Sequence, residues 1–303
     1  MNIYLPVAHT SINLMIMLTI GTGIGLLSGL FGVGGGFLIT PVLMMFGISP
    51  TVAAASGANQ MVAASTSATL THWKLGNVDM KMGVYLLIGS FLGGGLGVQA
   101  VKQLNALGNV DFVIKITYVL LPLTVGGIML GETLKKKRPS IGAQSTKRPS
   151  SFSTMMASLP FQMDFTKSGV RHSALVPVLI GILVGILAAI MGVGGGFIMV
   201  PIMLYVLKMP MRVIIGTSVF QILFTVIEVT FLQSYTNHTV DFVLALVMLT
   251  GSSVGAYVGT MFSEKLDTGQ LKVLLALLIL SVGFKILYEL MSTPALLLAY
   301  GGK

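Results

Sequence analysis

One hexapeptide, Gly32-Val33-Gly34-Gly35-Gly36-Phe37, returns unchanged 160 residues later as Gly192-Val193-Gly194-Gly195-Gly196-Phe197. At the same spacing Gly25, Leu27, Pro41 and Pro50 face Gly185, Leu187, Pro201 and Pro210. A spacing of 162 then aligns Val78-Asp79 with Val240-Asp241, and Gly89, Gly93 and Gly97 with Gly251, Gly255 and Gly259. Chance likeness of apolar sequence does not keep prolines, glycines and an aspartate in order, so the chain holds two copies of one unit. Each glycine cluster has little helix propensity and should interrupt a helix, with a short helix restarting near Phe37 and near Phe197.

Composition decides the solvent. The chain is 54% hydrophobic and only 9% charged, against roughly 25% charged in soluble proteins, which excludes a water-soluble globule. Apolar runs of about 20 residues, the length that crosses a bilayer, fall near 12–30, 51–72, 81–101, 109–131, 174–191, 212–234, 240–262 and 271–293. Two shorter runs, 36–47 and 196–207, follow the glycine clusters. The expected fold is an all-α polytopic membrane protein of about ten segments, in a first repeat over 1–131 and a second over 173–303, with short broken helices after the glycine turns. Between the repeats, 132–172 holds eight Lys and Arg among serines and prolines and reads as a basic cytoplasmic linker.

Charge also bears on orientation. With five crossings per half and the N-terminus outside, fourteen of the eighteen cations fall on the linker's side of the membrane. Four crossings weaken that bias, so five plus five, with the second half inverted, is the expectation for a plasma or inner membrane protein. The net charge of +9 then marks loops beside anionic lipid and not a nucleic-acid partner. Residues 1–11 carry no Lys or Arg, so the first span reads as retained instead of as a cleaved signal. Cysteine is absent, which removes thiolate chemistry and sulfur-ligated metals; no cofactor and no metal is called for.

A helix that restarts in a membrane presents unpaired N–H groups and the positive end of its dipole, an anion site without any arginine. The residues Gly32, Gly34, Gly35 and Gly36 and their copies Gly192, Gly194, Gly195 and Gly196 are therefore candidate substrate-binding positions; close helix packing is the plainer use of the same glycines. Ser56, Asn59 and Gln60 lie on one polar stripe of the next segment, and Thr217, Ser218 and Gln221 on its counterpart. Their hydroxyls and amides can complete a shell round an anion or can bond helix to helix. Glu228, seven residues after Gln221, is the one acid deep in an expected span. It is a candidate for proton coupling or a structural partner for a neighbouring group. Asp79 and Asp241 read as helix caps, Asp111 and Lys115 as an interfacial ion pair, and His72 beside Trp73 as an interfacial anchor.

The run Gly-Leu-Phe-Gly-Val-Gly-Gly-Gly-Phe-Leu-Ile-Thr-Pro at 29–41, its partial copy at 192–201 and Ala55-Ser56-Gly57-Ala58-Asn59-Gln60 resemble the sulfite exporter TauE/SafE family over nearly the whole chain. The resemblance implies a permease, working as an exporter, for small sulfur-containing or organic anions such as sulfite, thiosulfate or sulfonates. Alternating access at a central site is the expected mechanism, and an anion channel on the same scaffold is the alternative. Asn59-Gln60 is matched by Phe220-Gln221, so the halves need not supply equal ligands. An intramembrane enzyme is disfavoured because Glu228 has no second acid or deep histidine to work with.

Overall fold

The computed structural model describes residues 2–5, 10–136, 160–237 and 242–292. The first half contains α1 (Leu14–Phe31), α2 (Gly36–Met45), α3 (Pro50–Lys74), α4 (Met80–Ala106) and α5 (Val110–Lys136). The second contains α6 (Leu175–Met191), α7 (Gly196–Tyr205), α8 (Met211–Asn237), α9 (Phe242–Ser263) and α10 (Thr268–Ser292). A β-hairpin precedes each half: β1 (Asn2–Leu5) with β2 (Thr10–Asn13), and β3 (Gln162–Phe165) with β4 (Val170–Ser173). Ten helices among the described residues agree with the ten expected segments. Six of them, α1, α4, α5, α8, α9 and α10, are long and apolar enough to cross a membrane. Helix α6 is one residue short of the same length at 17, α2 and α7 have 10 each, and α3 is diluted by Ser, Thr, Asn and Gln.

The helices pair across the halves. Gly21, Gly25 and Gly29 of α1 meet Met248, Ser252 and Ala256 of α9 in ascending order, so these helices run side by side in one direction. The copies do the same: Gly89, Gly93 and Gly97 of α4 meet Val178, Ile182 and Ile186 of α6. At each crossing a Cβ would run into the partner's backbone, and apolar side chains larger than hydrogen cannot occupy these seams. Helices α3 and α8 lie together in the middle, and α5 pairs with α10 at the periphery. Burial follows this arrangement, 67% of the apolar window of α8 being buried against 28% of that of α10. Leu92, Leu96, Leu179 and Phe231 point outward and are more than half exposed, the surface a bilayer covers.

Local chemistry explains the helix ends. Asn13 caps α1 by accepting from the Met15 amide at 3.0 Å, and Pro50 opens α3 at the position where a missing N–H does least harm. Asp79 caps α4 through the Met82 amide at 3.1 Å, as expected; Asp241 lies outside the described residues. Asp111 differs from expectation. Its Oδ1 accepts from the Thr51 amide and hydroxyl, so it holds the start of α3 from the neighbouring helix, a long-range use that its spacing to Lys115 did not reveal.

The end of the linker also departs from a bare tether. Helix α5 runs on to Lys136, and β3–β4 pairs Gln162 with Ser173 and Phe165 with Val170. Residues 137–159 lie outside the described residues. The same register appears in β1–β2, where Asn2 pairs with Asn13 and Leu5 with Thr10, again 160 residues earlier. Each repeat therefore begins with a polar hairpin, ahead of the apolar segments that delimit it in the sequence. The β3–β4 turn is clamped to the bundle: Ser168 donates both its amide and its hydroxyl to Asp79 Oδ2, and the Asp79 amide donates to Thr217 Oγ1 at 3.0 Å. Phe165 is buried edge-on against Tyr85. Ser168→Ala removes a hydrogen bond to a buried carboxylate, a loss of about 1.5–3 kcal/mol. Thermal unfolding in detergent should register it, and limited proteolysis should cut within 160–173 faster than in the parent protein.

Candidate functional site

Each broken helix ends and restarts the same way. Helix α1 stops at Gly32 with φ 70°, Gly34 and Gly35 follow at 79° and 74°, and α2 begins. Helix α6 stops at Gly192 with φ 67°, followed by Gly194 at 64° and Gly195 at 75°. A side chain at these left-handed positions is strained. The first ladder bonds of α2 run from the Leu38 and Ile39 amides to Gly35 O, and those of α7 from Ile198 and Met199 to Gly195 O. The amides of Gly36 and Phe37, and of Gly196 and Phe197, lie ahead of those ladders, where a helix has no acceptor of its own. Pro41 and Pro201 sit in the second turns and leave the Phe37 and Phe197 carbonyls without an i+4 amide.

The two turns meet. A Cβ on Gly36 would lie 3.1 Å from Gly192 O, and one on Gly196 would strike Val33 O. Beyond them the Phe37 and Phe197 rings stack with centroids 5.4 Å apart. Each turn is also held by a hydroxyl from the other half: Ser218 Oγ donates to Gly32 O at 2.7 Å, and Tyr118 OH to Met191 O at 2.9 Å. Met61 of α3 and Ile222 of α8, equivalent residues, both cover Gly34 and Gly194. The site is thus closed, with apolar side chains over both turns.

Of the polar stripes, Ser56, Gln60, Thr217, Ser218 and Gln221 are all buried, and the side chain of Asn59 lies outside the described residues. Ser218 reaches the turns, and Thr217 instead secures the start of α4. Gln60 and Gln221 occupy equivalent positions one helical turn beyond Gly57 and Ser218, which touch the opposite turns. Gln221 Nε2 donates to Ser90 Oγ at 2.7 Å and to Thr225 Oγ1 at 2.9 Å. Its Oε1 and both carboxamide atoms of Gln60 have no partner among the described residues. A buried polar atom left so costs about 1–3 kcal/mol. Three such atoms fall in this one matched pair.

Glu228 faces α4 instead of the turns. Gly94 makes room for it, a Cβ there lying 2.9 Å from Glu228 Oε2, and that oxygen has no partner among the described residues. His72, in the last turn of α3, is buried, while Trp73 beside it is half exposed. Asn77 Nδ2 donates to His72 Nδ1 at 3.3 Å and to Glu264 Oε1 at 2.7 Å, and Arg212 stands 3.8 Å from Glu264. This chain ties the ends of α3 and α9 to the start of α8. Sequence reasoning missed it, together with Tyr118, Met61 and Ile222, because the bonds of Asn77 to Glu264 and of Tyr118 to Met191 cross between the halves, and an apolar cover over a turn carries no local signal.

The family model of the sulfite exporter TauE/SafE proteins matches residues 17–286. The chain belongs to that family. It is similar to the probable membrane transporter protein YunE of Bacillus subtilis (strain 168), 26% identical over 287 residues, which covers 91% of this chain and 97% of that protein. A second Bacillus subtilis relative, the probable membrane transporter protein YjnA, is 25% identical over 91% of this chain and its own full length. Sulfite exporter TauE/SafE family protein 1 of Arabidopsis thaliana is 33% identical over 82 residues, 27% of this chain and 18% of that protein. No solved structure matches. As a TauE/SafE protein this is a multi-pass membrane transporter for a small-molecule substrate.

Gln60→Met offers an internal check on this TauE/SafE site. Exchanging an unpaired buried amide for an apolar isostere should be neutral or stabilising, by up to about 1–3 kcal/mol, while transport falls. A variant that unfolds earlier than its parent would identify Gln60 as a structural residue.

Proposed function

We propose that this TauE/SafE protein exports small sulfur-containing or organic anions, sulfite first among them, by alternating access at the paired glycine turns. The observation that carries the reading is the meeting of two helix starts from opposite halves under Met61 and Ile222, each preceded by a buried glutamine that has at least one unpartnered carboxamide atom among the described residues. Turn amides of Gly34, Gly35, Gly36, Gly194, Gly195 and Gly196 would bind the oxyanion, with Gln60 and Gln221 completing the shell and Ser56, Asn59, Thr217 and Ser218 supporting it. Met61 and Ile222, one from each half, would be the thin apolar gates that part in turn. Glu228, deep in α8, would couple protons to the movement.

Inverted topology is part of the proposal and is supported by the helix directions. Asn77 after α3 bonds Glu264 after α9, and Gly216 near the start of α8 packs on Asn77. Thus α3 runs with α9 and against α8, its own copy. The β3–β4 hairpin joins the same end, since Lys81 Nζ donates to Asp164 O and Lys167 Nζ to Gly76 O. Lys74, Lys81, Lys167, Lys208, Arg212 and Lys265 gather there, which favours the cytoplasmic side for this end and for the 132–172 linker, with the N-terminus outside.

Purified protein in liposomes should move radiolabelled sulfite at saturable, carrier-like rates, and Gly34→Val or Gly194→Val should abolish that flux while membrane insertion persists. Glu228→Gln should remove stimulation by a pH gradient. Unchanged sulfite flux in both glycine variants would refute the site, and flux that never saturates would make the protein a channel.

A further inference from the structure

Resting on the transport reading above, we infer that the site takes its oxyanion in the singly protonated, monoanionic form, and that Gln60 and Gln221 read the proton. The argument starts from a hydrogen-bond inventory. Thr225 Oγ1 spends its one proton on Gln221 O at 3.0 Å, so it can only accept from the Gln221 side chain. That fixes the carboxamide with Nε2 toward Ser90 and Thr225 and leaves Oε1 as the unpartnered atom. Gln60 adds one more free carbonyl oxygen and one free amide nitrogen. Beside the residues that cover the turns, Gln60 and Gln221 thus supply one free donor, Gln60 Nε2, and two free carbonyl acceptors, to which the turn amides add further donors.

A fully deprotonated oxyanion satisfies the donors alone and sets its charge against both carbonyl oxygens. One retained O–H changes this, because it donates to one glutamine oxygen while the remaining oxygens accept from the amides. Net charge points the same way. No Lys or Arg is buried among the described residues, so nothing basic neutralises a second negative charge, and the self-energy of an ion in a low-dielectric interior rises roughly fourfold from one charge to two. The proton is acquired in water before binding and lost in water after release. It travels on the substrate, separately from any proton that Glu228 carries.

The titratable groups facing this site are few. Helices α1, α2 and α6 carry none. Tyr118 of α5 is committed to Met191 O, His72 of α3 to Asn77, and Glu228 of α8 stands against Gly94. On α4, Lys81 and Lys102 are exposed and Tyr85 turns to the β3–β4 hairpin; on α9, Tyr257 is exposed. Tyr205 stands at the far end of α7. Titration of any of these would act on every substrate alike, whereas titration of the substrate follows the substrate's own acidity.

The test uses the full chain in liposomes at equal pH on both sides, with sulfite as substrate and selenite, a weaker acid of the same shape, as a second substrate or as an inhibitor of sulfite flux. Above each compound's second pKa its apparent KM or inhibition constant, expressed on total oxyanion, should rise about tenfold per pH unit, with the selenite midpoint displaced to higher pH. In Gln60→Met the KM for hydrogensulfite should rise at least tenfold while the thermal midpoint holds. Coincident midpoints, a KM independent of pH, or selenite without effect at acid pH would overturn the inference. Absence of oxyanion flux at every pH would instead overturn the transport reading itself.

Discussion

The contact of two glycine turns at the centre of the bundle is the constraint on which the rest of the structure depends. Backbone meets backbone there: Val33 O stands where a Cβ on Gly196 would be, and Gly192 O approaches Gly36. Left-handed φ at Gly34 and Gly194 and the absence of side chains are both required at this point. Hydroxyls of Ser218 and Tyr118 fasten each turn to the opposite half, which makes the two halves one closed unit.

The glycine seams α1/α9 and α4/α6 extend the same logic outward. Each links the first helix of one half to the fourth of the other, so neither half buries its own first helix alone. In the proposed cycle these seams would move as rigid pairs past the central α3 and α8. The polar clamps sit at one end of the bundle, where Asp79 holds β3–β4 and Asn77 holds Glu264, and they are the contacts such a movement would have to loosen or carry along.

Much of this was legible in the sequence because periodic apolar runs and exact glycine repeats are local signals. The ten helices fall where those runs lie, the breaks at Gly32–Gly35 and Gly192–Gly195 fall where propensity collapses, and Asp79 caps α4. The hairpin before each repeat was not legible, since Gln162–Ser173 is short, polar and joined in sequence to a basic, serine-rich stretch. Nor was the dry cover that Met61 and Ile222 place over the turns, because two apolar side chains among many give no reason to single them out. The role of Asp111 was misread because spacing along a helix reveals neighbours on that helix, and its partner Thr51 is on another one.

The natural chain has no cysteine, so a single introduced thiol reports its own exposure without background. The most direct measurement places it at Met61, over both turns, and adds a membrane-impermeant thiol reagent from one side of oriented vesicles and then from the other. Alternating access through the paired turns predicts slow modification from either side and shielding of the thiol by sulfite. A thiol that reacts from neither side in a variant that still transports sulfite would contradict the account.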